Sequence, residues 1–284
     1  IGNGFDRWHG LPTSYDLFYE FAKDTLDELR SLFYIDTTHG GPWSDFENAL
    51  GSFDWGAFYD VHDHTDVTAE DFRPSEAFCL EDDLTEQADA LVDTIKVRFH
   101  DWIDEIDVSL ASRKMSFSGI DLFLTFNYTS TLELVYRIDD GNIVHIHGRS
   151  DTYDDLIFGH GATMREAPEL DENGDSNRTM FSDAVSIAKY PFNALQKPVN
   201  EIVVRNSDFF HSLGSVSTIS VIGHSLNDID LPYFEEVARN AKGAKWAVCL
   251  YELEDEDHHI QQLLKCGVQR EDITVCTYAD LQQA

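Results

Sequence analysis

The stretch from residue 120 to residue 148 constrains the fold most, because it combines an apolar run, a polar turn, a helical pattern and a second apolar run. Residues 120–126 are almost continuously apolar, which is typical of a strand that is covered on both faces. Ser130 and Glu133 form a capping-box pattern, which predicts that a helix begins near Thr129. A strand, a helix and a second strand in this order indicate an α/β fold.

Both predicted strands of this stretch end in a polar side chain. Asn127 follows the first strand, and His147 follows the second strand at residues 143–146. Because open parallel sheets bind ligands at the carboxyl ends of their strands, the two side chains should line one crevice. An amide and an imidazole at one crevice are typical of an active site.

Strands also alternate with helices in the last third of the chain. Apolar and β-branched runs predict strands at residues 216–222, 246–251 and 273–278, with helices at residues 232–243 and 254–265 between them. Such alternation predicts the α/β class with a doubly wound, mainly parallel sheet.

The 284 residues are enough for one large domain or two small ones. We expect a single α/β domain over residues 1–284, interrupted by a mostly helical insertion at residues 36–112 and by a second insertion or lid at residues 162–212. An amphipathic pattern predicts a long helix at residues 84–110 within the first insertion. A further helix and a further short strand are predicted at residues 14–32 and 156–161.

The first fifteen residues read as the end of a strand whose upstream part is missing, followed by a glycine-rich turn and a helix. Gly2 and Gly4 flank Asn3, and Gly10 follows in the same segment. Glycines permit close approach of the backbone to a ligand, and a helix N-terminus can accept a phosphate group. A tight strand-to-helix turn without any ligand explains the same residues equally well.

The charge of the chain is its most unusual compositional feature. The 53 acidic and 20 basic residues give a formal net charge of −33, and the acids are spread over the whole chain. Concentrated salt would screen the repulsion between them, so we expect a halophilic, acidic, cytoplasmic protein. The alternative, an acidic mimic of nucleic acid, is disfavoured because the acids are not confined to one block.

Composition also limits the classes of partner. The sequence has no cluster of Lys and Arg to hold phosphates, so we expect no direct binding of nucleic acid. It has no run of 18 apolar residues, so we expect no membrane span. The four cysteines form no C-x-x-C motif, which favours buried thiols in a reducing cytoplasm.

The residues alone leave several chemistries open. His145 and His147 could bind Zn²⁺ if further ligands joined them, and His62 with His64 could form another metal pair. Ser225 lacks the second glycine of a nucleophile elbow, which disfavours acyl transfer. We favour His147 as a general base beside Asn127, because an imidazole suits that task at neutral pH. Further ligands for the first metal pair would come from Asp6, His160, His224 and Asp230.

Five segments in a fixed order resemble the AbiH family of bacterial and archaeal abortive-infection proteins. They are GNGFDRWHGLPTSY at residues 2–15, WSDFE at 43–47, TFNYTSTLE at 125–133, HIHG at 145–148 and GHSLNDIDLPYF at 223–234. The segments cover most of the chain, and as a set they are specific.

That family in turn resembles the sirtuin-like, Rossmann-like fold that binds NAD. Residues 2–6 and 10–12 are similar to the sirtuin turn "GAGxS…GIP", and residues 125–129 are similar to "TQNID". His147 and Gly148 look like the catalytic "HG", and residues 223–226 look like "GTSL", which borders the dinucleotide.

The resemblance implies roles for individual residues. Asn127 would position the nicotinamide ribose or a water molecule, His147 would be the base, and Asp6 would stabilise the developing cation or orient the water. The residues that would bind the dinucleotide are Gly2, Asn3, Gly4, Phe5, Gly10, Pro12, Thr125, Gly223, His224 and Ser225.

The chain departs from the sirtuin pattern in three respects. Thr129 replaces an Asp that helps to hold the nicotinamide, Asp6 replaces a small hydroxyl residue, and the zinc-binding cysteines are absent. We therefore expect an anti-phage effector that hydrolyses NAD⁺ to nicotinamide and ADP-ribose, as an NADase without a metal. Alternatives are a sensor that binds NAD⁺ or ADP-ribose without turnover and a metal-dependent phosphohydrolase. Expected partners besides NAD⁺ are a phage-derived trigger or partner protein and further copies of the chain.

Overall fold

The computed structural model describes residues 1–38, 40–152, 155–166, 168–251 and 255–282. Its contacts divide the chain into two compact units. The first unit comprises Ile1–Leu17, His100–Ile157 and Lys197–Ala284, and the second comprises Phe18–Phe99 and Phe158–Gln196. All residues predicted to act in catalysis or to bind the dinucleotide belong to the first unit. The second unit contains much of both predicted insertions, whose status as parts of one domain stays a prediction.

The described residues contain five strands and fourteen α-helices. The strands are β1 (Phe123–Thr125), β2 (Ile143–His145), β3 (Thr218–Ile222), β4 (Lys245–Leu250) and β5 (Ile273–Thr277). The helices are α1 (Asn3–Trp8), α2 (Tyr15–Phe21), α3 (Lys23–Leu29), α4 (Phe46–Leu50), α5 (Trp55–His62), α6 (Glu76–Asp104), α7 (Thr131–Tyr136), α8 (Ser182–Ala188), α9 (Tyr190–Ala194), α10 (Val199–Arg205), α11 (Ser207–Ser212), α12 (Leu231–Asn240), α13 (Glu256–Lys265) and α14 (Tyr278–Leu281).

The strands of the first unit pair in parallel. β1 pairs with β2, and β3, β4 and β5 form a second sheet in that order. Parallel neighbours need a crossover connection, which α7 provides between β1 and β2, α12 between β3 and β4, and α13 between β4 and β5. The predicted α/β class with parallel strands is therefore confirmed.

The extended residues Ile1 and Gly2 hydrogen bond to both sheets. The Ile1 nitrogen donates to the Leu124 carbonyl at 2.8 Å, and the Ile1 carbonyl accepts from the Phe126 nitrogen at 3.0 Å. The Gly2 nitrogen donates to the Ile222 carbonyl at 2.9 Å. These bonds place the glycine-rich turn at the carboxyl ends of β1 and β3.

Apolar side chains form a separate core in each unit. In the first unit, α12 buries Leu231, Phe234 and Val237 against β3 and β4, with Pro232 in its first turn. In the second unit, four buried aromatic rings pack with centroids 4.3–5.9 Å apart. These rings belong to Phe18, Phe46, Phe99 and Phe158. Burial of each side chain stabilises the fold by about 1.5–3 kcal/mol.

Three predicted elements differ from the observed ones. Residues 156–161 form no strand, and His160 makes only an isolated bridge to Gln196. The helix predicted at residues 14–32 is divided at Ala22, whose ψ of 21° departs from helical geometry. The helix predicted at residues 84–110 begins earlier, because Glu76 accepts a hydrogen bond from the Arg73 nitrogen and so stabilises the helix start there. It also ends earlier, at Asp104, and Val108–Leu110 form a separate 3-10 turn.

The remaining predicted helices and strands are present, with ends that differ by at most three residues. The predicted first residue of α13, at position 254, lies outside the described residues. None of the described helices combines the length and the apolar composition needed to cross a bilayer.

Candidate functional site

The N-terminal glycine turn packs directly on the loop that follows β3. The Gly4 nitrogen donates to the Gly223 carbonyl at 2.7 Å. A Cβ atom on Gly2 would lie 2.6 Å from the Cα of His224, and a Cβ atom on Gly223 would lie 2.2 Å from the Phe5 nitrogen. The glycines are therefore needed for contact between the two predicted motifs. Their contact with a pyrophosphate stays a prediction.

Asp6 links α1 to the segment that follows β1. Its buried carboxylate accepts hydrogen bonds from the hydroxyl groups of Thr129 at 2.5 Å and Thr131 at 2.8 Å. Burial raises the pKa of Asp6 from 3.8 to about 6, while hydrogen bonds from Thr129, Thr131 and Asn127 act in the opposite direction. At neutral pH the carboxylate is mostly ionised and is held by hydroxyl groups.

Asn127 and His147 lie at neighbouring strand ends. Thr125 of β1 pairs with His145 of β2, and each candidate residue lies two positions further along its own chain segment. The Asn127 Oδ1 atom and the His147 Nε2 atom are buried and have no hydrogen-bond partner among the described residues. A buried polar atom without a partner typically costs about 1–3 kcal/mol. Two such atoms at adjacent strand ends indicate a place where a ligand or water binds.

Asp230 is the centre of a buried cluster next to His147. One of its oxygens lies 3.1 Å from the Lys197 ammonium and 3.7 Å from His147 Nε2. The other oxygen lies 3.5 Å from His224 Nε2. Lys197 has only 4% of its surface exposed, which is rare for a lysine and requires a compensating charge.

The charges of this cluster follow from its burial. Burial alone would raise the pKa of Asp230, but Lys197 and the two histidines hold it below its ordinary value. Burial, reinforced by Lys197, lowers the pKa of His147 well below 6.5, and burial also lowers the pKa of His224. At neutral pH the cluster therefore contains an ionised Asp230 and two neutral imidazoles.

The surroundings of the His147 ring indicate which of its nitrogens could meet a ligand. A hydrogen bond with the Phe126 backbone opposes the fall in the pKa of His147. The Nε2 atom has no hydrogen-bond partner in the described part of the chain and lies 3.7 Å from the Asp230 carboxylate. It is therefore the ring nitrogen that is left to exchange a proton with a bound water or ligand.

Aromatic rings surround the two histidines. The Phe126 ring lies between them, with ring centroids 5.4 Å from His147 and 4.2 Å from His224. Tyr233 and Tyr128 have ring centroids 5.6 Å and 6.3 Å from His147. This apolar environment is the physical cause of the low pKa of both imidazoles.

His145 does not share the surroundings of His147. Its Nε2 atom lies 2.7 Å from the Glu133 carboxylate, which also accepts a hydrogen bond from Arg149 at 2.8 Å. Because β2 ends at His145, the alternation of a strand does not extend to His147, and the predicted pair on one face is wrong. Among the described residues, no three His, Cys, Asp or Glu side chains are arranged to hold a metal ion.

The other predicted residues have varied surroundings. The Asn3 side chain donates to the Thr13 carbonyl at 2.7 Å, and the Thr125 hydroxyl accepts from the Asn127 nitrogen at 3.2 Å. Pro12 and Ser225 are exposed. Gly10 has φ 85° and open space where a side chain would stand.

A cavity of about 650 Å³ lies elsewhere in the first unit. It is lined by residues of β1 and β3 together with Ile1, Phe234 and Trp246. Asn127 and His147 are not among its lining residues, so this cavity is separate from the candidate site.

Two residues of the buried cluster are not predicted as catalytic or dinucleotide-binding residues from the sequence. The sequence indicates Asp230 only as a possible metal ligand, and it does not indicate Lys197 at all. The position of Lys197, well before Asp230 in sequence, gave no indication that the two side chains would meet.

Comparisons with known proteins agree with part of the predicted resemblance. A family model described as "Bacteriophage abortive infection AbiH" matches residues 1–250. Searches for similar curated proteins and for similar solved structures found no match. Because the family match covers most of the 284 residues, the chain belongs to the bacteriophage abortive infection AbiH family.

Proposed function

We propose that this AbiH-family protein is an abortive-infection effector that hydrolyses NAD⁺ to nicotinamide and ADP-ribose on a sirtuin-like, Rossmann-like, doubly wound fold. The observation that carries the proposal is the pair of buried atoms without partners, Asn127 Oδ1 and His147 Nε2, at the carboxyl ends of β1 and β2. Ligands of parallel α/β sheets bind at this edge.

Two of the three departures from the sirtuin pattern meet in one hydrogen bond, which supports the proposed likeness. Asp6 stands where sirtuins have a small hydroxyl residue, and Thr129 stands where they have an Asp. The Thr129 hydroxyl donates to the Asp6 carboxylate at 2.5 Å. On the proposed likeness, a carboxylate and a hydroxyl group would have exchanged positions between the two segments, and the pair of chemical groups would be kept.

The proposed chemistry is cleavage of the bond between the ribose C1′ atom and the nicotinamide nitrogen. Nicotinamide leaves as a neutral ring, and positive charge develops on the ribose. His147 Nε2 accepts a proton from the attacking water or from a ribose hydroxyl, a contribution of about 10²–10⁴-fold in rate. The Asn127 amide oxygen accepts a hydrogen bond from the water or the ribose and so holds it for attack.

Asp230 would act through His147 rather than on the substrate. Its ionised carboxylate lies 3.7 Å from His147 Nε2 and would stabilise the imidazolium that forms when the ring accepts a proton. Lys197 compensates the charge of Asp230 in the resting protein. We assign Asp230 and Lys197 as positioning residues.

The remaining assigned residues would hold the dinucleotide. In the first turn of α1 the Gly4 N–H donates to the Gly223 carbonyl and the Phe5 N–H to the Gly2 carbonyl, so the pyrophosphate would be met by the remaining N–H groups of that turn. Ser225, which is exposed, would contact the adenosine ribose. Because Asn127 and His147 are buried, entry of NAD⁺ requires neighbouring side chains to move, and the rings of Tyr128 and Tyr233 lie beside His147.

One observation favours a second candidate function, a sensor that binds NAD⁺ or ADP-ribose without turnover. The pKa of His147 is well below 6.5, so the imidazole is a weak base, and a weak base transfers protons less effectively. A metal-dependent phosphohydrolase has no comparable support, because no group of metal ligands is found among the described residues.

The test measures nicotinamide release from NAD⁺ by the wild type and by Asn127→Ala and His147→Ala, all purified in high salt. We expect each variant to lose at least about 10²-fold in rate. The matched control is His160→Gln, which changes a buried histidine that bonds to the Phe192 carbonyl in the second unit, outside the proposed machinery. Circular dichroism and melting curves establish that each variant is folded.

Equal turnover by the wild type and both site variants would end the enzyme proposal. Titration calorimetry, which measures the binding of NAD⁺ and of ADP-ribose, distinguishes the sensor from the enzyme. Tight binding by the wild type without nicotinamide release would select the sensor, and this binding should weaken in Asn127→Ala.

A further inference from the structure

Two cysteines face each other across the parallel strands β4 and β5. Cys249 and Cys276 are direct partners in the strand register, and their Sγ atoms are 2.6 Å apart. Carbon atoms in ordinary non-bonded contact are roughly 3.5–4.0 Å apart. The two sulfur atoms are thus already closer than an ordinary contact. The proposed catalytic chemistry uses neither of them.

We propose that Cys249 and Cys276 form a redox-sensitive modification site that peroxide converts into a cross-strand disulfide. Both thiols are free in the structure. Neighbouring strands lie about 4.7–4.9 Å apart, and this spacing falls within the Cα separation of about 4.4–6.8 Å that disulfides require. The bond can therefore form without a change of strand register.

The two thiols differ in their exposure to solvent, and this difference decides which of them reacts with peroxide first. Cys276 is half-buried, whereas Cys249 is buried. Burial, together with the neighbouring sulfur of Cys276, raises the pKa of the Cys249 thiol. Cys276 is therefore the thiol that meets peroxide first, and Cys249 is the thiol that resolves the product.

The steps balance with hydrogen peroxide as the oxidant. The Cys276 sulfur attacks one peroxide oxygen and becomes a sulfenic acid, and the other oxygen leaves as water after taking up the thiol proton. The Cys249 sulfur then attacks the sulfenic sulfur, and the sulfenic oxygen leaves as a second water with the proton of Cys249. Two thiols and one peroxide give one disulfide and two waters.

The site lies beneath the N-terminal glycine turn. Cys249 belongs to the same buried cluster as Phe5 and Tyr278, and Cys276 packs against this cluster. The Tyr278 ring stacks on Trp8 of α1, with centroids 4.7 Å apart. A disulfide would join the carboxyl ends of β4 and β5 directly below these rings. In a reducing cytoplasm the two thiols would stay reduced. Disulfides that do form in the cytosol are usually transient, and many of them sense the redox state.

The test treats the full chain with hydrogen peroxide and maps the cysteines by mass spectrometry after blocking free thiols. We expect the wild type to lose about 2 Da, with the peptides that contain Cys249 and Cys276 joined. Cys79→Ser and Cys266→Ser are the matched controls, since they remove an exposed and a buried cysteine outside the pair. Both should still form the bond, and Cys276→Ser should not.

Thermal unfolding gives a second measurement that needs no variant. The oxidised wild type should melt about 5–10 °C higher than the same sample after reduction, because the bond restricts the unfolded chain. Separate modification of the two cysteines by the blocking reagent after peroxide treatment would overturn the proposal. These readings are independent of NAD⁺ turnover, so their failure would leave the proposed enzyme activity unaffected.

Discussion

Asp6 illustrates how a single buried carboxylate can serve two roles. Its ionised form is held by two threonine hydroxyl groups, and the same residue is proposed to act on the developing ribose cation. The effect of burial on the pKa of Asp6 is nevertheless larger than the effect of these hydrogen bonds, so the pKa rises from 3.8 to about 6. The residue is therefore a cost to folding at neutral pH, as is common for residues retained for function.

This cost predicts a pH dependence of stability. Since the pKa in the folded state exceeds the unfolded value, protonated Asp6 contributes stability that is fully present below pH 3.8. That contribution is lost as the pH rises through about 6, and its size is about 3 kcal/mol for a shift of this order. Asp6→Asn removes the ionisation, so its free energy of unfolding should rise relative to the wild type from pH 4 to pH 7.

Chemical denaturation of both proteins across this range measures the difference directly. The many other carboxylates titrate in both proteins, so their contributions cancel in the difference. A difference that stays constant from pH 4 to pH 7 would contradict the raised pKa of Asp6.

The candidate site was only partly predictable at the level of single residues. Asn127 and His147 could be found because each directly follows an apolar run, and strand ends meet at one edge of a parallel sheet. Lys197 and Asp230 could not be paired, because no local pattern encodes a contact between distant loop residues. The different partners of His145 and His147 depend on where β2 ends, and periodicity gives that limit only approximately.

At the scale of elements, the N-terminal glycine turn and the loop after β3 can touch only because the glycines at their contact have no side chain. Gly223 has φ 69°, and a Cβ atom there would lie 2.2 Å from the Phe5 nitrogen. Gly243 has a similar φ of 78° but open space around it. A comparison of substitutions at the two positions therefore distinguishes the energetic cost of a positive φ from the cost of disturbing the close packing of the two segments.

We expect Gly223→Ala to lower the free energy of unfolding clearly more than Gly243→Ala. The positive φ alone costs roughly 1–2 kcal/mol in either variant. Displacement of the α1 turn should add about 1–3 kcal/mol at Gly223 only. Urea denaturation measures both losses, and equal losses would show that the close approach contributes nothing to stability.

Strand and helix order could be predicted for the last third of the chain, where apolar runs alternate with capped helices. The sequence pattern failed where tertiary contacts decide the structure. Residues 156–161 have the apolar composition of a strand, yet their backbone contacts are isolated ones: the Ile157 nitrogen donates to the His147 carbonyl, and His160 forms a single bridge with Gln196. A strand forms only when its backbone hydrogen bonds to a neighbouring strand, and the composition of a segment does not reveal whether such a neighbour exists.

At the scale of the whole molecule, the distribution of charge is the main feature. The net charge is −33, and the sequence pI is about 4.4. Some acidic groups are compensated locally, as Glu133 is by Arg149 and Asp230 is by Lys197. The 20 basic residues cannot compensate 53 acidic ones, so most of the negative charge must be screened by ions.

This excess predicts that salt stabilises the protein, because repulsion within the folded chain weakens as the Debye length falls from about 10 Å at 0.1 M to about 3 Å at 1 M. The melting temperature at pH 8 should therefore rise as KCl increases over this range. The same protein at pH 5 is the control, since its net charge is smaller near the pI of about 4.4 and its response to salt should be smaller. Non-specific salting-out would stabilise the protein similarly at both pH values. An equal rise at pH 5 and pH 8 would therefore show that charge repulsion is not the cause, and a fall at pH 8 would show that attractive ion pairs outweigh it.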